Sequence, residues 1–457
     1  MKVATGLNAR ERVVVHVDSP TARWISALAV FSLSGWLFLL HKDLAWSMTI
    51  LAAVVLIARG IFLGRPVTAG HAAAAMAMCV AGLAAVFLAF DLLGNLLLVA
   101  AAVMLMWPTS ARPNPADLPR IFALVNATTG DPLAPFAMQA TKCYHFSGDG
   151  TAAIAYRTRL GFAVVSGDPI GDDARFTALV ADFAAKCHTR GWRIVVLGCS
   201  QRRVNLWCNA TMLGQKLKAV PIGRDVVIDV ATFDMVGRKY RNLRQAVQRT
   251  KNFGISTEVV DEQGLNDVLL TELTEVVLAS PSGARTERGF SMSLDGTLEG
   301  RYPGVALIIA RDSAGRIQGF HRYATAGGGS EVSLDVPWRR RGAPNGIDER
   351  LSVDMIARAR EQGAQRLSLA FAAFPEIFTD KHRNLPRSLV FTVVHMGDPL
   401  IALESLYRYL RKFHALGDQR YVMATLTQVM PLLVVLLSLE FVPRRRHLSS
   451  GSVVPAS

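Results

Sequence analysis

From Arg238 to Lys251 the chain carries six basic residues and no acidic one: Arg238, Lys239, Arg241, Arg244, Arg249 and Lys251. Cations without competing carboxylates suit phosphate, which an arginine grips through two parallel N–H donors. A solvated helix face is the other reading of such a run, and both stay open. A second basic run, Arg339-Arg340-Arg341-Gly342-Ala343-Pro344, precedes a helix signal. Acyl-CoA-binding loops use glycines at such a point, so that backbone N–H groups cradle a pyrophosphate. One usable glycine before a proline makes a poor cradle. The five cysteines, Cys79, Cys143, Cys187, Cys199 and Cys208, form no CxxC pair, which argues against a thiolate zinc site or a disulfide framework. No HExxH, GxSxG, phosphate-loop or dinucleotide fingerprint occurs. No metal or cofactor is expected.

Elements must hold these residues. Asp234 to about Asn252 reads as a helix, with Val236, Tyr240, Leu243 and Val247 on one face and Arg238, Arg241, Gln245, Gln248 and Arg249 on the other. Before it, Ala152–Tyr156 and Phe162–Ser166 read as strands, Asp173 to Arg190 as a helix, and Trp192–Leu197 as a strand. After it, Val305–Arg311, Ile317–Thr325 and Glu331–Val336 read as strands. A helix then opens at Pro344-Asn345-Gly346, and Arg366–Phe371 is the next strand. Asp168-Pro169-Ile170-Gly171, helix, Arg190-Gly191, strand is echoed by Ala343-Pro344-Asn345-Gly346, helix, Gln362-Gly363, strand. That is the pattern of a duplicated α/β unit.

The 457 residues are 51% hydrophobic and 19% charged, with a mean hydropathy of +0.28. The apolar residues concentrate before Trp107, in runs at about Trp24–Leu40, Leu44–Leu63, Ala69–Phe90 and Leu92–Trp107. Each approaches the roughly 20 residues that cross a bilayer. Basic residues fall on alternate loops: Lys2, Arg10, Arg12 and Arg23 first, Arg59 near the end of the second run with Arg65 after it, Arg112 and Arg120 after the fourth. A multi-pass protein of the cell membrane follows, with its N-terminus and its large domain in the cytosol. The net charge of +14 and the pI of 9.9 point to a polyanionic neighbour, anionic lipid or nucleic acid. A last apolar run, Val422 to Val442, ends in Arg444-Arg445-Arg446 and reads as a helix packed on the domain or lying in the membrane interface.

Six motifs in order carry a resemblance. They are Ser166-Gly167-Asp168-Pro169-Ile170-Gly171, Tyr240-Arg241-Asn242-Leu243-Arg244-Gln245-Ala246-Val247, Gly289-Phe290-Ser291-Met292, Ser333-Leu334-Asp335, Ala343-Pro344-Asn345-Gly346, and Glu404-Ser405-Leu406-Tyr407 with Lys412-Phe413 and Arg420-Tyr421. Over about residues 120–421 the chain resembles the catalytic domain of lysylphosphatidylglycerol synthases, most closely the actinobacterial branch. The resemblance implies α/β (α+β) tandem GNAT-type acyltransferase units behind a transmembrane block. It also implies transfer of an aminoacyl group, lysyl first, from aminoacyl-tRNA to phosphatidylglycerol or a related lipid. Within that chemistry Asp335 and Glu349 are the acid/base candidates, and His321 is a further base. Asp168, Ser291, Asn345 and Gly346 are substrate-binding candidates. Arg238, Arg241, Arg244, Lys412 and Arg420 are the candidates for tRNA or lipid phosphate. The run His414 to Arg420 lacks the aromatic and the prolines that the family carries there.

The expected organisation is a membrane block at 1–107, a proline-rich linker at 108–120, a first unit at 121–255 that includes the basic helix, a second unit at 256–421, and an apolar helix with a basic tail at 422–457. Two other functions compete: an acyl-CoA-dependent N-acyltransferase, and a catalytically silent scaffold that binds lipid.

Overall fold

The computed structural model describes residues 13–15, 19–40, 43–280, 286–287, 289–373, 406–425, 429–440 and 444–445. Lys2, Arg10, Arg12, Glu404, Ser405 and Arg446 lie outside them. Four helices open the chain: α1 (Pro20–Leu40), α2 (Leu44–Phe62), α3 (Ala69–Phe87) and α4 (Asp91–Leu105). Of these, α2 and α3 are long and apolar enough to cross a bilayer, whereas α4 has 15 residues. Two of the four expected runs thus form helices with the length and composition that a span requires. Small residues let the helices pack. A Cβ on Gly94 would stand 2.8 Å from the Gly82 carbonyl oxygen, so α3 and α4 touch backbone to backbone. Large apolar side chains face outward instead, among them Trp24, Leu44, Met76, Phe87 and Leu92.

Helix α5 (Leu118–Ala127) follows the linker. Strands β1 (Cys143–Phe146), β2 (Ala152–Arg159) and β3 (Phe162–Ser166) form an antiparallel meander. Helix α6 (Phe176–Thr189) then crosses to β4 (Arg193–Ser200), which runs parallel to β3. Next come β5 (Lys218–Asp229), α7 (Arg241–Asn252), β6 (Ser256–Asp261) and α8 (Asp267–Ala279). The grammar then repeats. Strands β7 (Val305–Arg311), β8 (Ile317–Ala326) and β9 (Glu331–Arg339) are antiparallel, and α9 (Ile347–Glu361) crosses to β10 (Arg366–Ala373), parallel to β9. Each β–α–β crossover buries an apolar helix face on the sheet. Phe176, Leu179, Val180 and Phe183 do so on α6, and Ile347, Leu351 and Met355 on α9.

The strand that follows each unit joins the other unit. β5 pairs with β10, while β11 (Leu416–Ala424) pairs with β4, and β5 and β11 pair with each other. One continuous sheet results, in the order β1-β2-β3-β4-β11-β5-β10-β9-β8-β7-β6. The chain is thus a mixed α/β protein built of two tandem units of like topology.

Two sequence readings need correction. The basic helix begins later than Asp234, because Gly237 sits at φ +89° and breaks the chain there. Val236 lies outside the helix, 72% exposed, while Tyr240, Leu243 and Val247 do form its buried face. The last apolar run also divides. Val422, Met423 and Ala424 complete β11, and α10 (Val429–Glu440) lays Leu432, Val435 and Leu439 on the sheet of the first unit.

Candidate active site

The loop between β9 and α9 is pinned by Arg340. Its guanidinium reaches Glu275 at 3.0 Å and the Ile317 carbonyl at 2.8 Å. Gly346 opens α9 at φ +105°, where a Cβ would stand 2.7 Å from the Ala246 carbonyl oxygen. Only glycine allows this approach, which presses the first turn of α9 onto the basic helix α7. Being glycine, this cap offers no side-chain acceptor to the free N–H groups of that turn.

Asp348 and Glu349 occupy the first turn. His321 of β8 donates from Nε2 to Asp348 Oδ1 at 3.2 Å, and Arg339 pairs with the other oxygen at 3.2 Å. The Tyr323 hydroxyl lies 3.5 Å from His321 Nδ1. Burial pushes the Asp348 carboxyl up, but the His321 hydrogen bond and the charges of Arg339 and Lys412 outweigh it and hold the group below the usual carboxylate range. Glu349 accepts a hydrogen bond from Lys412 Nζ. His321 and Glu349 are buried, while the side chains of Asp348, Lys412 and Arg339 are 23%, 33% and 46% exposed. The result is a polar seam, ionised at its rim and hydrogen-bonded beneath. An aromatic cluster of Phe233, Tyr240, Phe413 and His414 holds the start of α7 against the turn that carries Lys412.

Of the expected site residues, Asn345, Gly346, Glu349 and Lys412 come together here. Arg238 and Arg241 lie exposed at the adjoining end of α7. Arg244 is turned back, donating to the carbonyls of Met235 and Gly237.

Asp335 is elsewhere. The register passes from Arg322↔Val336 to Tyr323↔Leu334, so Asp335 is the extra residue of a β-bulge. Its fully buried carboxylate meets Arg322 at 2.8 Å and accepts from the Leu294 amide at 2.8 Å. Arg322 also holds Glu262 at 2.7 Å. Burial pushes the Asp335 carboxyl up to about 6 against the pull of Arg322. With both oxygens engaged and no solvent contact, Asp335 positions the 289–298 loop, where Ser291 is likewise buried, and does not serve as a free acid or base.

Arg420 also departs from expectation. It is 1% exposed, and its donors reach Asp131 at 2.7 Å, Asp225 at 2.8 Å and the Gly198 carbonyl at 3.0 Å, with Asp168 at 3.9 Å. A buried guanidinium must be neutralised on the spot, so this one serves the seam between the units and not a phosphate. Asp168 accepts from the Ser200 amide at 3.0 Å within the same cluster.

Sequence reasoning missed Asp348, Arg322, Glu262, Asp131 and Asp225, and weighed Arg339 only as part of a pyrophosphate loop. One signal was present: Arg322 is a lone charge in the otherwise uncharged strand Ile317–Ala326, which marks a buried ion pair. In the acyl-CoA loop, Arg339 and Arg340 are engaged by carboxylates, leaving little for a pyrophosphate. Among the described residues no group of His, Cys, Asp and Glu is arranged to hold a metal.

The sequence profile described as "Phosphatidylglycerol lysyltransferase, C-terminal" matches residues 122–424. The chain is 64% identical to an MprF-like domain protein of Mycobacterium tuberculosis, over 98% of this chain and 95% of that one. It is 31% identical to the lysylphosphatidylglycerol biosynthesis bifunctional protein LysX of Rhodococcus jostii, over 55% of this chain but only 22% of LysX. Among solved structures, L-PGS from Bacillus licheniformis superposes with a TM-score of 0.58 at 19% identity, covering 72% of this chain and 96% of that one. A C-terminal domain from Agrobacterium fabrum, assigned to a lysylphosphatidylglycerol synthetase, gives 0.60 at 21% identity, covering 73% and 100%. At these identities the likeness is one of fold.

Proposed function

The chain belongs to the phosphatidylglycerol lysyltransferase C-terminal family, and from that membership we propose a membrane-bound aminoacyltransferase that moves an aminoacyl group, lysyl first, from aminoacyl-tRNA to a hydroxyl of phosphatidylglycerol or a related anionic lipid. The lipid hydroxyl oxygen attacks the ester carbonyl carbon, the bond to the tRNA ribose oxygen breaks, and the hydroxyl proton ends on that ribose oxygen. One ester replaces another, so catalysis rests on placing the two substrates, passing one proton and stabilising an oxyanion.

The observation that carries this reading is the seam at the start of α9, inside the family-matched segment. Asn345 and the uncapped N–H groups of the first turn are the oxyanion donors. Asp348, held ionised, is a weak base and a good anchor for the aminoacyl ammonium. Glu349, which accepts a hydrogen bond from Lys412 Nζ, carries the proton. The exposed cations at the start of α7, Arg238 just before it and Arg241 within it, take nucleic-acid or lipid phosphate. The outward apolar side chains of α1 to α4 suit hydrocarbon and not water, and the block keeps the site beside its lipid.

The test is lipid chromatography of cells that express the full chain and are fed labelled amino acids, repeated with purified protein, charged tRNA and phosphatidylglycerol vesicles. A labelled lipid that disappears on ribonuclease treatment of the tRNA is expected. Intact protein that yields no aminoacyl-lipid with any amino acid would leave the silent scaffold as the better reading.

A further inference from the structure

Where the helix block meets the first α/β unit, an apolar cavity and a mixed, basic pocket are lined by neighbouring residues of the chain. The first is a chamber of about 530 Å³ enclosed by all four helices, with Val30, Ile50, Val54, Ala75, Leu98 and Leu105 among its walls. Met76 and Leu83 also line it and are 68% and 51% exposed, so the chamber opens sideways on the outer face of the block. The second is a pocket of about 300 Å³ lined by Thr68, His71, Trp107, Thr109, Arg112 and Arg190. An adjoining pocket of about 210 Å³ shares Arg112 and Arg190 and adds Lys186, with Asp117 as its one carboxylate.

The linings of the two come within one or two residues of each other along the chain. On α3, His71 lines the basic pocket and Ala72, the next residue, lines the chamber. At the end of α4, Leu105 lines the chamber and Trp107 the pocket. Among the described residues Arg190 has no carboxylate partner, and Thr109 approaches only its carbonyl, at 3.0 Å. An apolar void forfeits dispersion contacts on every wall. One that opens sideways into hydrocarbon fills with a hydrocarbon chain, and Arg112 and Arg190 of the basic pocket, with Lys186 of the adjoining one, select what that chain is attached to.

We propose that this junction binds one anionic glycerophospholipid, with an acyl chain in the chamber and its phosphate against Arg112, Arg190 and Lys186. The inference rests on the bilayer placement proposed above and not on the transfer reaction. The junction belongs to the first unit, whereas the α9 seam belongs to the second, and β11, β5 and β10 separate β4 from β9 in the sheet. The bound lipid is therefore a fixture that seats the α/β domain on the membrane, distinct from the acceptor.

Native mass spectrometry of the full chain in non-ionic detergent, after addition of phosphatidylglycerol or phosphatidylcholine, tests this. One phosphatidylglycerol should survive activation that strips phosphatidylcholine, and millimolar inorganic phosphate, having no acyl chain, should not displace it. The pair Arg112→Gln with Arg190→Gln should lower retention of phosphatidylglycerol by about tenfold and leave phosphatidylcholine unchanged. Ala75→Phe, which fills the chamber from within, should lower retention of both lipids; if it fails to fold, the arginine pair at the rim still decides. Equal retention of the two lipids, no retained lipid, or unaltered retention in the arginine variant overturns the proposal. No donor substrate is present, so a chain inactive in transfer that still holds phosphatidylglycerol would sink the catalytic reading and leave this one standing.

Discussion

At the scale of single residues, environment decides role. Asp348 and Asp335 are both carboxylates of the second unit that touch a cationic or imidazole side chain, yet one sits at a solvent rim and the other is sealed. If Asp348 anchors the aminoacyl ammonium, Asp348→Asn should raise KM for the donor about tenfold with little change in kcat, since the loss is of binding and not of the proton carrier. Glu349→Gln should show the reverse, a kcat lowered by about a hundredfold at similar KM. Steady-state kinetics with varied charged tRNA separates the two. Arg322 makes a different prediction. Arg322→Met would leave Asp335 and Glu262 buried without their cation, a loss on the order of 3–5 kcal/mol. Chemical denaturation should show that loss as a large drop in stability. A normal midpoint would mean that the cluster tolerates its own repulsion.

At the scale of elements, turns and strand edges aim these side chains. Gly346→Ala must place a methyl group against the Ala246 carbonyl at a positive φ, which costs on the order of 1–3 kcal/mol. The first turn of α9 should lift from α7, so activity should fall further than stability does. Comparing kcat/KM with the thermal midpoint checks this. Strand β1 supplies a pH handle. His145 packs on Phe183 at 5.6 Å, and its ring is lowered to about 4, chiefly by burial and then by Lys186. A lowered histidine leaves the unfolded chain with more bound protons between pH 6.5 and 4. Its contribution is therefore intact above 6.5 and lost as pH falls toward 4. His145→Phe should flatten that part of the stability profile measured between pH 7 and 4. An unchanged slope would assign the acid sensitivity to other groups.

At the scale of the molecule, the two units are sewn together by exchanged strands, and Arg420 of β11 stands at the seam with carboxylates from the α5 side, β5 and the end of β3. Arg420→Gln should strand Asp131, Asp168 and Asp225 together, loosen the junction, and appear as early cleavage between the units in limited proteolysis under native conditions. A pattern matching the parent would mean that strand pairing alone holds the seam. The elements were legible because they are local. Short continuous apolar runs mark Phe162–Ser166 and Val305–Arg311 as strands, a period near 3.6 marks α6 and α9, and both survive inspection of a short window of chain. The duplication, the apolar helix block and the family could be read for the same reason, each being a property of order along the chain. The partner of a charge is not such a property. Asp131 precedes Arg420 by 289 residues, and Asp335 meets Arg322 through a bulge that no pattern announces. A phosphate-binding arginine and a buried ion-pair arginine are the same letter in a sequence. Only the folded chain, by withdrawing water from one and leaving it with the other, made Arg420 a seam, sealed Asp335 against Arg322, and gathered Asp348, Glu349 and Lys412 at the start of α9.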